Sequence, residues 1–252
     1  MLSPHPGAPA LVLAVHGSAL PQAVRPIELL ALKVTQWYGV TPLIGHLDVR
    51  SPDVGQVLSR VRRAGGASAV VVPLLLGDGY HRTVDLPAVV DTARSEGLAC
   101  VLTDGLSDEP ALATALYERL RQAERRAGGL ADAVLLAAAG SGRPGGNAGA
   151  VRTADRLRVL LGEERGPVPV VTGYCSATGP SVTEAYQCLR AQGHRRVAVA
   201  TYLLAPGRFT CALRDLGAWA ASAPLADHPV VARLVGERYV AARSVFLTAS
   251  GE

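Results

Sequence analysis

The sequence predicts an α/β protein made of two duplicated parallel-sheet domains that face one another across a cleft. Three observations lead there. Short β-branched and leucine-rich runs alternate with longer helical patterns along the chain, the signature of βαβ units and parallel strands. The alternation then repeats, and at 252 residues the chain has room for two small domains. Its apolar fraction of 49% and charged fraction of 18% are those of an ordinary globular protein.

In the first half, strands are predicted at Ala10–Val15, Pro42–Leu47, Ala69–Leu76 and Leu98–Leu102, where β-branched residues and leucines cluster. Helices are predicted between and after them, near Arg25–Trp37, Asp53–Ala64, Val84–Glu96 and Glu109–Arg126. The Arg-Ala-Gly-Gly-Leu stretch at 126–130 reads as a linker, which sets the domains at 1–127 and 131–252. The second half has predicted strands at Ala133–Ala138, Val168–Thr172 and Arg196–Leu204. Its predicted helices lie near Asn147–Leu161, Ser181–Gln192, Ala212–Ala221 and Pro229–Arg243.

The repeat is visible residue by residue. Gly45–His81 lies over Gly173–Phe209 without a gap, at a constant offset of 128, pairing Pro52 with Pro180, Gly65 with Gly193, Leu75 with Leu203 and Gly79 with Gly207. Upstream, Gly17-Ser18 matches Gly140-Ser141; near the ends, Asp108, Pro110 and Glu118-Arg119 match Asp227, Pro229 and Glu237-Arg238. The cleft between the two halves is the expected binding site, and one chain can supply both of its walls, which makes a monomer possible and leaves the oligomeric state open.

Composition narrows the function. The longest apolar stretches, Val70–Leu76 and Ala133–Ala139, are far shorter than the roughly 18 residues of a membrane helix, and Leu11–Val15 lacks the cationic flank of a signal segment. A cytoplasmic protein without a membrane partner is expected. The four cysteines, Cys100, Cys175, Cys188 and Cys211, show no C-x-x-C spacing and are expected reduced and mostly buried. The net charge is +4, carried almost wholly by arginine, since Lys33 is the only lysine. No basic stripe interleaved with aromatics and no nucleic-acid motif accompanies it, so a carboxylate-rich or phosphorylated small molecule is the expected partner rather than nucleic acid.

What the two copies do not share is more informative than what they do. His16 aligns with Ala139, His46 with Tyr174, His81 with Phe209 and Asp48 with Ser176. His16 ends the first strand and His81 follows the third, and ligands of open parallel sheets bind beyond the carboxyl ends of the strands, so both imidazoles should reach one rim. Asp48, near the end of the second strand, can join them. Imidazole titrates near neutrality and ligates Fe, Co, Ni and Zn, so His16 and His81 are candidate metal ligands as well as catalytic groups. His46 is open between a rim and a packing role, while His5, His194 and His228 read as surface residues.

The strand ending in His16-Gly-Ser, the Leu47-Asp-x-x-x-Pro52 segment and the Pro73-Leu-Leu-Leu-x-x-Gly-x-His81 segment resemble the class II chelatases, the family of sirohydrochlorin ferrochelatases and cobaltochelatases. The likeness runs from about residue 10 to residue 243, and Thr201–Gly207 is similar to the two-domain actinobacterial form. The resemblance implies flavodoxin-like domains, His16 and His81 as the active-site histidines, and Asp48 where the family often has glutamate. It implies insertion of Fe2+ or Co2+ into sirohydrochlorin or a related tetrapyrrole, in siroheme or cobalamin biosynthesis, with the metal as substrate and no permanently bound cofactor. Arg50, Arg82 and Arg208 are the candidate contacts to the substrate's carboxylates. The sequence departs from the family at Ala19, where an arginine commonly follows His-Gly-Ser.

Other readings fit less well. Gly140-Ser-Gly-Arg-Pro-Gly145 imitates a dinucleotide fingerprint, but the next strand ends in Val171-Thr172-Gly173 where an acidic ribose ligand belongs. No nucleotide P-loop exists, and Gly173-Tyr-Cys-Ser176 is not a nucleophile elbow. The alternative that stays open is a non-catalytic tetrapyrrole or metal carrier on the same scaffold.

Overall fold

The computed structural model describes residues 8–176 and 179–248; His5 lies outside them. The elements follow in chain order as β1 (Ala10–Val15), α1 (Val24–Tyr38), β2 (Leu43–His46), α2 (Val54–Arg63), β3 (Ser68–Leu74), α3 (Leu86–Ser95), β4 (Ala99–Leu102) and α4 (Pro110–Ala127). After these come β5 (Ala133–Ala138), α5 (Ala148–Arg165), β6 (Val170–Tyr174), α6 (Val182–Ala191), β7 (Val197–Tyr202), α7 (Arg208–Arg214), β8 (Ala220–Ala221) and α8 (Pro229–Thr248). Two four-stranded parallel sheets result, ordered β2-β1-β3-β4 and β6-β5-β7-β8. Each places its first strand centrally and changes direction beside it, the flavodoxin-like order.

In the first sheet Leu11, Val12, Leu13 and Ala14 are all fully buried, so both faces of β1 are covered. That explains an uninterrupted apolar run where a one-sided sheet would alternate. One face packs on α2 and α3 through Val12, Val57, Leu58, Val71, Leu86 and Val90. α2 begins at a capping box in which Asp53 Oδ1 accepts from the Gln56 N–H at 2.7 Å and Gln56 Oε1 accepts from the Asp53 N–H at 3.2 Å. The second copy rebuilds the device with different chemistry, Ser181 and Glu184, at the start of α6.

The compact units and the sequence repeat part company at two helices. One unit comprises the chain up to Leu75, Tyr80–Leu106 and Val231 onward; the other comprises Leu76–Gly79 and Ser107–Val230. Most of α8 therefore belongs with the first sheet, where Tyr239 donates its hydroxyl to Pro9 O at 2.9 Å and Arg238 donates to Gly105 O at 2.7 Å. Helix α4 belongs with the second sheet. Its Glu124 is fully buried and is satisfied by Arg121 at 2.8 Å, Arg165 at 2.7 Å and the Ala131 N–H at 2.9 Å. Removing one partner of such a buried charge costs about 3–5 kcal/mol.

Three expectations need correction. The helix expected at Ala212–Ala221 ends at Arg214, because Gly217 turns the chain at φ 63° and Trp219 and Ser222 donate to Val197 O and Val199 O, drawing Ala220–Ala221 into the sheet. His228 is buried rather than superficial, held between Glu118 Oε2 at 3.1 Å and the Val230 N–H at 3.3 Å. Of the four free cysteines only Cys100 is buried; Cys188 and Cys211 are exposed. Among the described residues no helix is long and apolar enough to cross a membrane.

Candidate active site

The strand ends of the first sheet carry the candidate residues. β1 stops at Val15, and His16 continues from it as an exposed residue. Past β3 the chain leaves the sheet, and His81 opens a π-helical turn, His81–Asp85, that runs straight into α3. Such turns recur at functional sites. The His16 and His81 rings stand edge to face, with centroids 5.0 Å apart and planes at 84°. Two residues 65 positions apart in the chain are thus brought within reach of one small guest.

His81 has a partner the sequence reading missed. Asp85 Oδ2 lies 2.7 Å from His81 Nδ1, one turn further along. The signal was present as His-x-x-x-Asp, since residues four apart share a helix face.

Asp48 is joined to the site through its backbone. Its N–H donates to His16 O at 3.0 Å, while Leu47 donates to Val15 O at 2.8 Å. Its carboxylate is engaged locally, with Oδ1 accepting from the Val49 N–H at 2.7 Å. Val49 is exposed and left-handed, with φ 66°, and Arg50 N–H closes a three-residue turn onto Asp48 O at 2.7 Å. A β-branched residue in that region is strained. Gly17 makes the close approach possible: at its φ of 94°, an added Cβ would lie 2.2 Å from Asp48 O.

The second copy shows which of these features belong to the scaffold. Ser176 donates to Ala139 O as Asp48 does to His16 O, and a Cβ on Gly140, at φ 91°, would meet Ser176 O at 2.1 Å. Gly140 thus repeats the role of Gly17, which accounts for the start of the glycine-rich segment without a nucleotide. The histidines have no counterpart, because Phe209 packs into the second core and Tyr174 is buried.

The remaining predicted residues disperse. His46 is half-buried, and burial first, then the Arg50 charge, hold its imidazole below the usual histidine range. Arg82 turns toward the loop after β4, with Nη1 3.8 Å from Asp104 Oδ1 and its Cδ against Gly105. Arg208 belongs to the second unit and lies over the Phe209 ring at 5.3 Å. Ala19 is exposed. No group of three or more His, Cys, Asp or Glu side chains able to hold a metal occurs among the described residues.

Comparison with known proteins settles the lineage. The CbiX family model matches residues 10–123 and again 133–242, most of the chain in two tandem copies. The chain belongs to the CbiX family. Among relatives, a sirohydrochlorin cobaltochelatase of Methanocaldococcus jannaschii is 34% identical over 83 residues, which make up 32% of this chain and 57% of that protein. The matched segment thus spans little more than half of that relative. Similar folds occur in SirB from Bacillus subtilis with Fe3+, at TM-score 0.75 and 20% identity over 97% of this chain and 98% of that one. SirB from Bacillus subtilis subspecies spizizenii in complex with cobalt matches at TM-score 0.72 and 17% identity over 94% and 96%. CbiX described as the terminal enzyme of siroheme biosynthesis in denitrifying bacteria matches at TM-score 0.65 and 20% identity over 92% and 99%. The class II chelatase fold of this chain follows from these likenesses.

Proposed function

We propose that this protein is a chelatase that inserts Co2+ or Fe2+ into sirohydrochlorin or a closely related tetrapyrrole, in cobalamin or siroheme biosynthesis, with His16 and His81 at the reacting centre. The observation that carries the reading is the edge-to-face imidazole pair, 5.0 Å between centroids, on the carboxyl rim of a CbiX-family sheet and absent from its duplicate. Insertion exchanges two pyrrole N–H protons for one divalent cation. Two imidazoles match that balance, because an imidazole nitrogen can accept a proton or ligate the cation in transit. In this reading the metal is a substrate that the two imidazoles hold in transit and that leaves in the product, with no permanently bound cofactor.

The arginine-rich surface suits a polycarboxylate, and Arg50, whose N–H donates to the Asp48 O beside His16, is a candidate carboxylate contact. Arg82 and Arg208 keep that role in our proposal with their present partners, Asp104 and the Phe209 ring, as competitors. Asp48 shapes the rim beside His16 through its turn. All four thiols are free, in keeping with a cytoplasmic setting. One observation favours the carrier reading: Ala19 leaves the position after His-Gly-Ser without a cationic grip. Anaerobic mixing with sirohydrochlorin and Co2+ or Fe2+, followed by visible absorption, separates the two. A catalytic amount of protein that turns over many equivalents supports the chelatase; stoichiometric binding at the uncatalysed insertion rate supports the carrier.

A further inference from the structure

We infer that Asp85 is a positioning residue that dictates the tautomer of His81, placing the proton on Nδ1 and leaving the Nε2 lone pair for the reaction. The inference deepens the proposed chemistry and rests on it for the role of Nε2, but the pairing itself rests on geometry. Asp85 Oδ2 lies 2.7 Å from His81 Nδ1, the separation of a short charge-assisted hydrogen bond. An ionised carboxylate only accepts, so the bond requires Nδ1–H. A neutral imidazole with Nδ1–H has its acceptor at Nε2, the nitrogen that can take a pyrrole proton or bind a cation. Carboxylate–imidazole pairing of this kind fixes the tautomer and the ring orientation.

Two further observations carry the point. The backbone that carries the pair is anchored, because the turn continues without a break into α3, where Leu86 and Val90 are fully buried under the first sheet. It is also dispensable to the scaffold. At the repeat offset of 128, His81 and Asp85 correspond to Phe209, half-buried against the apolar core of the second unit, and Leu213, buried within it. The duplicate builds a helix there with no polar pair, so the charged couple answers to chemistry found only in the first copy.

The test uses the full-length, metal-free protein. Imidazole 15N shifts of 15N-labelled protein, with His81 assigned by the loss of its signals in His81→Gln, report the tautomer of the neutral ring. The expected result is Nδ1–H in the parent protein and a shift toward Nε2–H, the form free histidine prefers in water, in Asp85→Ala. Metallation kcat should fall roughly 10–100-fold in Asp85→Ala with KM for the tetrapyrrole unchanged. Asp85→Asn, which both donates and accepts, should give a mixed tautomer and intermediate kcat, and is read in place of the alanine variant if the latter does not fold. An Nε2–H tautomer in the parent protein overturns the inference, as does an unchanged kcat in a folded Asp85→Ala. A parent protein with the Nδ1–H tautomer but no metallation would sink the proposed reaction while upholding the pair.

Discussion

Replacing Gly17 with alanine separates two costs that the structure allows to be estimated independently. At φ 94° an L-residue pays roughly 1–2 kcal/mol for left-handed backbone. Gly39, at φ 67° with nothing within 4 Å of the point an added Cβ would occupy, should pay that cost alone. Alanine at residue 17 must also relieve a 2.2 Å contact with Asp48 O. The segment carrying Asp48 then moves away, and the Asp48 N–H bond to His16 O and the Leu47 N–H bond to Val15 O stretch or break. At roughly 0.5–1.5 kcal/mol each, they add about 1–3 kcal/mol. For a chain of this size that is an extra Tm loss of roughly 2–12 °C beyond Gly39→Ala. Thermal unfolding by circular dichroism of both variants measures it. Gly140→Ala should behave like Gly17→Ala, because its Cβ would meet Ser176 O at 2.1 Å. If Gly17→Ala is no less stable than Gly39→Ala, the close approach of the two strand ends is wrong.

Val49→Gly should raise stability by about 1 kcal/mol in denaturant unfolding, since glycine removes the strain at φ 66°; lower stability would show that the turn is not strained. Burial, and then the Arg119 charge, lower the pKa of His228, outweighing Glu118 and Asp227. The unfolded chain therefore binds the proton more readily, so this stability is fully present above about pH 6.5 and is lost as pH falls from there toward the folded pKa. His46 acts in the same direction. His228→Gln should weaken the fall in Tm between pH 7 and 5, and an undiminished fall would contradict the assignment. A fragment of residues 1–127 should lack cooperative unfolding, because it loses the α8 partners of Pro9 and Gly105; a sharp melt would refute the helix assignment.

Much of this was legible in the sequence, and the exceptions have physical causes. The central strands were readable because parallel strands covered on both faces are unbroken apolar runs, as at Leu11–Ala14. His16 and His81 stood out because the duplicate keeps the backbone device of Gly17 while discarding the imidazoles. Asp85 was missed because the helical pattern begins at Val84 on apolar periodicity alone; the preceding π-helical turn, which puts His81 and Asp85 on one face, has no apolar stripe. β8 was hidden by alanines, good helix formers whose fate is decided by Gly217 and a backbone ladder. The repeat also does not say on which sheet a helix packs. That is why α4, with its buried Glu124, and α8 belong to the unit opposite their sequence neighbours.

The central claim, that the imidazole pair performs the chemistry, is tested most directly by the anaerobic metallation rate of His16→Ala and His81→Ala beside the parent protein. The account predicts that each variant keeps the parent's Tm within a few degrees and loses roughly 10- to 1,000-fold in rate, with the double variant no worse than about the sum of the losses in free energy. Rates equal to the parent's in both folded variants would contradict it.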